Sequence, residues 1–265
     1  MDLQLFLEIS IFIETFTDTS MYTSAFVKRF LWLAGALFTV FSFLSFTACH
    51  TSTSSGQDDT RTFSVRDFDR VDVGSAMEIN IRQGGNFSVM ASGRKSDLDD
   101  LEASVSGGKL RVRYRESRWN SNRKRVTLDI VMPQLRGADF SGASRSTISG
   151  FRNQGTFDLE ISGASTSTVG VDATRLNLDV SGASNVTLTG KAETLAGEVS
   201  GASSVKAYEL SLKDASLEVS GASSARINVT GKLNVSASGA SSVRYRGGAA
   251  VRSNTSGASS VHTES

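Results

Sequence analysis

The tetrapeptide Ser-Gly-Ala-Ser, which occurs seven times in the second half of the chain, constrains the fold more than any other feature. Its copies lie 18 to 21 residues apart and begin at Ser141, Ser162, Ser181, Ser200, Ser220, Ser238 and Ser256. A short unit repeated at nearly constant spacing indicates a stacked architecture in which each unit contacts only its neighbours. Helical repeats, at about 33 residues or more, are too long for this period.

The residues on both sides of the tetrapeptide alternate between apolar and polar, as in Leu178-Asp-Val180 before one copy and Val186-Thr-Leu188 after it. A period of two is typical of half-buried strands. Each unit therefore reads as two short strands joined at the tetrapeptide, with Lys206, Arg226 and Arg244 among the outward residues. We predict an all-β fold, a single-stranded parallel β-helix (solenoid) with about 18–21 residues per coil.

The composition of the tetrapeptide indicates a corner rather than a binding motif. Glycine supplies the backbone freedom that a corner needs. We expect the alanine to face the interior, and the two serines either to satisfy corner backbone groups or to form an outward hydroxyl ladder.

The N-terminal region carries an export signal. Lys28 and Arg29 precede an uncharged apolar run over residues 30–46, and the only cysteine of the chain, Cys49, follows a short small-residue segment. Phe46-Thr-Ala-Cys49 resembles a bacterial lipobox, so we predict lipidation at Cys49 and attachment to a membrane through that lipid. An ordinary signal peptide or a buried thiol is the alternative.

The chain divides by composition into five segments. Residues 1–20 carry four acidic residues, unlike a signal, so we expect translation to start at Met21. The segments are then an N-terminal extension (1–20), a lipoprotein signal peptide (21–48), a flexible tether (49–62), an irregular β section that forms the first coils or a cap (63–136), and the repeats (137–265).

The irregular section carries a resemblance to a known family. Phe68 to Gly85, Gly107-Gly-Lys-Leu-Arg-Val112, Val131-Met-Pro-Gln-Leu135 and the spaced tetrapeptides look like the head GIN domain family, described as auto-transporter adhesins and common as envelope lipoproteins of Bacteroidetes-type bacteria. The resemblance covers roughly residues 63–262. It implies a right-handed parallel β-helix, a location in the cell envelope as an outer-membrane lipoprotein, and an adhesin role. It offers no catalytic residues.

Residue types suited to catalysis or metal binding are scarce. The chain has two histidines, His50 and His262, and no zinc-ligand spacing or phosphate-binding loop, so we predict no cofactor and no metal. A Ser-His-Asp site would have to use His262 in the last coil. A polysaccharide lyase or hydrolase that uses Asp and Arg on a β-helix remains the enzymatic alternative.

One outward column is acidic, and its members should stack on successive coils: Asp139, Glu160, Asp179, Glu198 and Glu218. A solvated edge that discourages aggregation is the favoured interpretation. A strip that binds divalent cations is the alternative, because Ca²⁺ prefers several carboxylate oxygens.

A second outward set is basic: Arg111, Arg113 and Arg115 alternate with apolar or aromatic residues, and Trp119 follows in a polar stretch. This is either a solvated strand face or a patch for anionic glycans, on which Trp119 could stack against a sugar. Nucleic acid is not expected as a partner of an exported chain with a net charge of +1.

The sequence therefore favours a non-enzymatic, lipid-anchored envelope protein that acts as an adhesin or binds glycans or envelope polysaccharide. Binding of ice or mineral by a hydroxyl ladder is a third possibility, against which the mixed charged columns argue. The ligand, the oligomeric state and the membrane face (periplasm-facing or surface-exposed) stay open.

Overall fold

The computed structural model describes residues 59–115 and 122–264. The predicted signal peptide, the predicted start at Met21, and the candidate residues Cys49 and Trp119 lie outside these residues. The elements are β1 (Asp59–Phe63), β2 (Arg70–Val73), β3 (Glu78–Gln83), β4 (Ser88–Gly93), α1 (Lys95–Asp99), β5 (Leu101–Ser106), β6 (Lys109–Tyr114), β7 (Thr127–Met132), β8 (Gly137–Phe140), β9 (Arg145–Ile161), β10 (Thr166–Val180), β11 (Asn185–Val199), β12 (Ser204–Val219), β13 (Ser224–Ala237), β14 (Ser242–Arg246), β15 (Ala250–Thr255) and β16 (Ser260–Thr263). None of the helical structure in these ranges is long and apolar enough to cross a membrane.

The predicted β-solenoid is confirmed. It has about seven turns of stacked parallel strands, and β9 to β13 each run from one tetrapeptide to the next. Residues after each tetrapeptide form one ladder, here called the first sheet, and residues before the next tetrapeptide form another, the second sheet. Bulges in β9, β12 and β13 absorb the difference between coils of 18 and 21 residues, because the register shifts there and is restored before the next corner.

The core consists of columns of apolar side chains, one from each coil. The residue before the tetrapeptide is buried from Phe140 through Ala237, and the core also takes in Leu159, Leu178 and Leu217 two residues earlier. In the last described coil the same positions are Thr255 and Ser253, both exposed. The solenoid therefore ends in a polar coil, as is usual for a terminal repeat.

At the corners, each glycine has a positive φ. From Gly163 onward, each stacks on the glycine of the previous coil, whose carbonyl accepts a hydrogen bond from the following alanine N–H. Ala202 N–H, for example, donates to the Gly182 carbonyl at 2.8 Å. The prediction that the alanine faces inward is wrong. All seven alanines are exposed, because the left-handed glycine turns the next residue outward and the second serine inward.

The second serine of the tetrapeptide forms a buried ladder. Ser184, Ser203 and Ser223 are at most 2 % exposed, and each hydroxyl donates to the carbonyl of a glycine in the previous coil at 3.2–3.3 Å. The serines therefore satisfy corner backbone groups, which was one of the two predicted roles.

The irregular section supplies both opening coils and a cap. The order of coils in space differs from their order in the chain: β6 and β7 form the first coil, β2 and β3 the second, and β8 with the start of β9 the third. β5 pairs antiparallel with β6, and β4 pairs antiparallel with β7. β1 in turn pairs antiparallel with the outer edge of β4. Among the described residues, antiparallel strands thus end both sheets and leave no parallel edge free at this end. β1 starts at Asp59, inside the predicted tether.

Candidate functional site

The predicted acidic column exists on the second sheet. The in-register partners are Asp139 with Glu160, Glu160 with Asp179, Asp179 with Glu198, and Glu198 with Glu218. Asp139 is half-buried, whereas the other four are exposed. They point outward because they alternate with inward-facing residues, which are buried on both sides of each member except Glu198, whose neighbour Gly197 is half-buried.

The acidic column has a sixth member that the sequence analysis missed. Asp72 on β2 is the register partner of Asp139 on one side and of Arg111 on the other. Its side chain is only 5 % exposed. The available signal was Val71-Asp-Val73, which has the same alternation as the later coils and is followed by Gly74-Ser-Ala, a rearranged form of the tetrapeptide.

The arginines predicted to form a separate patch lie at the end of this column. Arg111 Nε donates to Asp72 Oδ2 at 3.1 Å, and Arg113 Nη2 donates to Asp72 Oδ1 at 3.0 Å. Arg115 Nε donates to Glu102 Oε1 at 2.7 Å. The two predicted ladders are therefore one charged column, and the three arginines are largely balanced by carboxylates although about half of each side chain faces solvent.

Repulsion within the column is visible at Asp139. Burial raises the pKa of its carboxyl group, and the charges of Glu160 and Asp72 raise it further. Two unit charges one strand apart, at about 4.8 Å, repel by about 1 kcal/mol in water. The column is tolerable on a wet surface and unfavourable where it becomes buried.

The column does not converge on one point. Over residues 59–115 and 122–264, no group of three or more His, Cys, Asp or Glu is placed to hold a metal ion. A straight ladder offers one carboxylate per strand, whereas Ca²⁺ requires six to eight oxygen atoms around one centre. The geometry fits contacts with an extended partner better than coordination of a single ion.

A shallow groove of about 440 Å³ runs beside the column. It forms where Ala196 and Gly197 stand in register with the larger Asn177 and Leu178 of the previous coil. Its polar lining comes from Asp158, Glu160, Asn177, Asp179, Glu198, Ser216 and Glu218. These groups are mostly hydrogen-bond acceptors, so the groove suits a ligand rich in hydroxyl or cationic groups.

A second ionic cluster ties the cap together. Asp97 is fully buried on α1 and accepts hydrogen bonds from Arg94 Nε and Nη2, each at 2.9 Å, and from the Lys124 N–H at 3.2 Å. Burial opposes its ionisation, but the hydrogen bonds and the charges of Arg94 and Arg123 prevail and lower its pKa. Arg123 also lies 4.2 Å from the centre of the Tyr114 ring. These contacts hold α1 against the chain on both sides of residues 116–121, so the cluster stabilises the fold.

These features define a class: an all-β solenoid whose outer faces carry in-register charged columns. His262 is the one histidine in the described ranges, and it is exposed on β16. Within the described residues, no histidine therefore lies inside the solenoid beside a buried serine.

The chain belongs to the family described as "Putative auto-transporter adhesin, head GIN domain", whose profile matches residues 67–249. The solved structures of similar fold include a putative adhesin from Bacteroides fragilis (20 % identity, TM-score 0.74, covering 79 % of this chain and 98 % of that one). A putative adhesin from Parabacteroides distasonis has 18 % identity and a TM-score of 0.62, and the match covers 80 % of this chain and 98 % of that one. A putative lipid binding protein from the same organism has 14 % identity and a TM-score of 0.61, with the same coverage of both chains. No curated protein sequence matches.

Proposed function

We propose that this protein is a non-catalytic, lipid-anchored adhesin of the cell envelope that binds glycan or envelope polysaccharide along the outer faces of its solenoid. The observation that carries the proposal is the in-register charged column from Arg111 through Asp72 to Glu218. A ladder that repeats every strand offers the same contact many times, which suits a polymer with a repeating unit. Membership of an adhesin family supports the same class of function.

The anchor in this proposal is a lipid on Cys49, followed by the segment rich in Ser, Thr, Gly and Asp that precedes β1. We expect palmitate labelling of the full-length protein in cells, and its loss in Cys49→Ser. Protease treatment of intact cells then separates a surface-exposed protein, which is cleaved, from a periplasm-facing one, which is protected until the outer membrane is opened. Labelling that survives Cys49→Ser contradicts the anchor.

The first ligand face to test is the predicted one, Arg111, Arg113 and Arg115 with Trp119. Replacing Arg111 and Arg113 alone leaves the buried Asp72 without its partners, so the test variant adds Asp72→Asn to the three Arg→Gln changes. We expect weaker glycan-array binding than in the matched Asp72→Asn protein. Equal binding by the two proteins removes this face from the proposal.

The enzymatic alternative is tested on the same glycans. We expect binding without chain cleavage or unsaturated products after prolonged incubation. Turnover that follows the purified protein through a final size-exclusion step would establish a lyase or hydrolase instead.

A further inference from the structure

A second charged column lies on the first sheet, in the last coils. Lys206, Arg226, Arg244 and His262 are successive register partners on β12, β13, β14 and β16, and all four are exposed. In the earlier coils the same column consists of Thr147, Thr168 and Thr187. From β9 to β16, this column therefore changes from hydroxyl-bearing to cationic at β12.

These cations differ from the arginines of the N-terminal coils in lacking acidic partners. Seven arginines there lie within 4.0 Å of an Asp or Glu oxygen: Arg70, Arg94, Arg111, Arg113, Arg115, Arg123 and Arg136. Among the described residues, no Asp or Glu oxygen lies that close to Lys206, Arg226 or Arg244. Stacked like charges without counterions attract anions.

One carboxylate and one aromatic ring border the column. Glu264 accepts a hydrogen bond from the Tyr208 hydroxyl, and Arg246 lies 4.2 Å from the centre of the Tyr208 ring. The hydrogen bond lowers the pKa of Glu264, and the charges of Arg244, Arg226 and Arg246 lower it further. The three arginines thus outnumber this single acid, and the ring that could stack on a ligand is covered by Arg246.

A column of serine hydroxyls runs beside the cations. Ser204, Ser224, Ser242 and Ser260 are register partners two residues earlier on the same strands, and so share the outer face. Ser224 Oγ donates to Ser204 Oγ at 3.2 Å, and Ser260 Oγ donates to Ser242 Oγ at 3.4 Å. The surface therefore presents cations and hydroxyls in two parallel rows.

We propose that Lys206, Arg226, Arg244 and His262 form a binding site for acidic polysaccharide. Guanidinium groups match carboxylate and sulfate in two-point hydrogen bonds, and the serine row matches sugar hydroxyls. The rungs repeat at about 4.8 Å, so a linear polymer meets the same pair of rows on every coil. This inference rests on the proposed function and deepens it by naming the ligand class and a site on the other sheet.

Two other polyanions fit the same surface less well. Single-stranded nucleic acid is bound through exposed aromatic rings on which bases stack, but Tyr208 lies under Arg246 and Tyr245 packs against the core. Binding to an anionic lipid surface combines charge with apolar side chains that enter the membrane. In the described ranges the exposed large hydrophobic residue is Met90, which lies in the cap.

The test measures binding of purified full-length protein to heparin and polygalacturonate as acidic polysaccharides. Dextran, single-stranded DNA and phosphatidylglycerol vesicles serve as comparisons. The variant is Arg226→Gln with Arg244→Gln. The matched control is Arg175→Gln with Arg252→Gln, which removes the same charge from exposed positions outside the column. We expect about a tenfold or greater loss of heparin affinity in the first variant and less than about twofold in the control.

Equal losses in the two variants, or no binding of either acidic polysaccharide by the wild-type protein, overturn the proposal. Tighter binding of DNA or of vesicles than of both polysaccharides also overturns it, as does self-association that disappears with Arg226→Gln and Arg244→Gln while polysaccharide binding is unchanged. Failure of the proposed function is separate. Heparin binding without adhesion of cells that carry the protein would leave this site standing and reject the adhesin role.

Discussion

Replacement of a corner glycine by alanine gives the most specific prediction about stability. Gly201 has a φ of +76°, and a Cβ added there would lie 2.4 Å from the carbonyl oxygen of Gly182 in the previous coil. That oxygen accepts hydrogen bonds from the Ala202 N–H at 2.8 Å and from Ser203 Oγ at 3.3 Å. Gly201→Ala must therefore separate two coils at the point where they are joined.

The expected magnitude has two parts. A left-handed backbone disfavours alanine by about 1–2 kcal/mol. Weakening two hydrogen bonds adds about 0.5–1.5 kcal/mol for each bond. We expect the free energy of unfolding to fall by about 2–5 kcal/mol in Gly201→Ala. Gly248 is the matched control, because its φ is +73° and a Cβ there would meet nothing within 4 Å. Gly248→Ala should lose only the first part, about 1–2 kcal/mol.

The assay is equilibrium guanidinium unfolding of the full-length protein, followed by far-UV circular dichroism. Midpoint and slope are fitted together so that a change in the surface exposed on unfolding is not mistaken for a change in stability. A Gly201→Ala protein that loses no more stability than Gly248→Ala refutes the stacking argument and leaves only the backbone term.

Three further tests address other contacts. Ser203→Ala removes a buried hydroxyl and should lower the free energy of unfolding by about 1 kcal/mol in the same unfolding assay. Arg111→Gln with Arg113→Gln should lower the Tm, and adding Asp72→Asn should restore part of the loss, because the unpaired buried carboxylate is then gone. Asp139→Asn should raise the Tm near pH 7. The pKa of Asp139 is raised in the folded state, so ionisation of its carboxyl group destabilises the folded protein once the pH rises above the unfolded-state pKa of about 4. The gain in Tm from Asp139→Asn should therefore disappear below about pH 4 when melts are recorded over a series of pH values.

The period and alternation around the tetrapeptide were enough to predict the solenoid, because each coil repeats one local rule: apolar residues face inward and glycine turns the corner. The outward orientation of the tetrapeptide alanine could not be predicted from the period and the alternation. It depends on the positive φ of the preceding glycine, which reverses the direction of the next side chain. The buried serine ladder follows from the same turn.

The charged column was predicted as two unrelated features because chain order does not follow spatial order at the N-terminal end. Arg111 lies far from Asp139 in the sequence, yet Asp72 sits between them as a rung on β2. A local pattern cannot reveal which distant strand lies beside another. The sequence features that linked β2 to the repeats were the alternation in Val71-Asp-Val73 and the Gly74-Ser-Ala that follows it. In the structure this segment forms a corner, with Ser75 at a φ of +88°.

The two charged columns make the charge of the outer faces change along the solenoid. The acidic column occupies the second sheet and ends at Glu218, beyond which the register partners are Ser236 and Asn254. The basic column occupies the first sheet and begins at Lys206. Both changes fall on β12, so a net charge of +1 conceals two opposed fields. We therefore expect a polyanion to be attracted to the first sheet in the last coils and repelled from the second sheet in the earlier ones. Because the corners are nearly identical from coil to coil, we expect this arrangement of charge, and not the repeated tetrapeptide, to determine where a charged polymer binds.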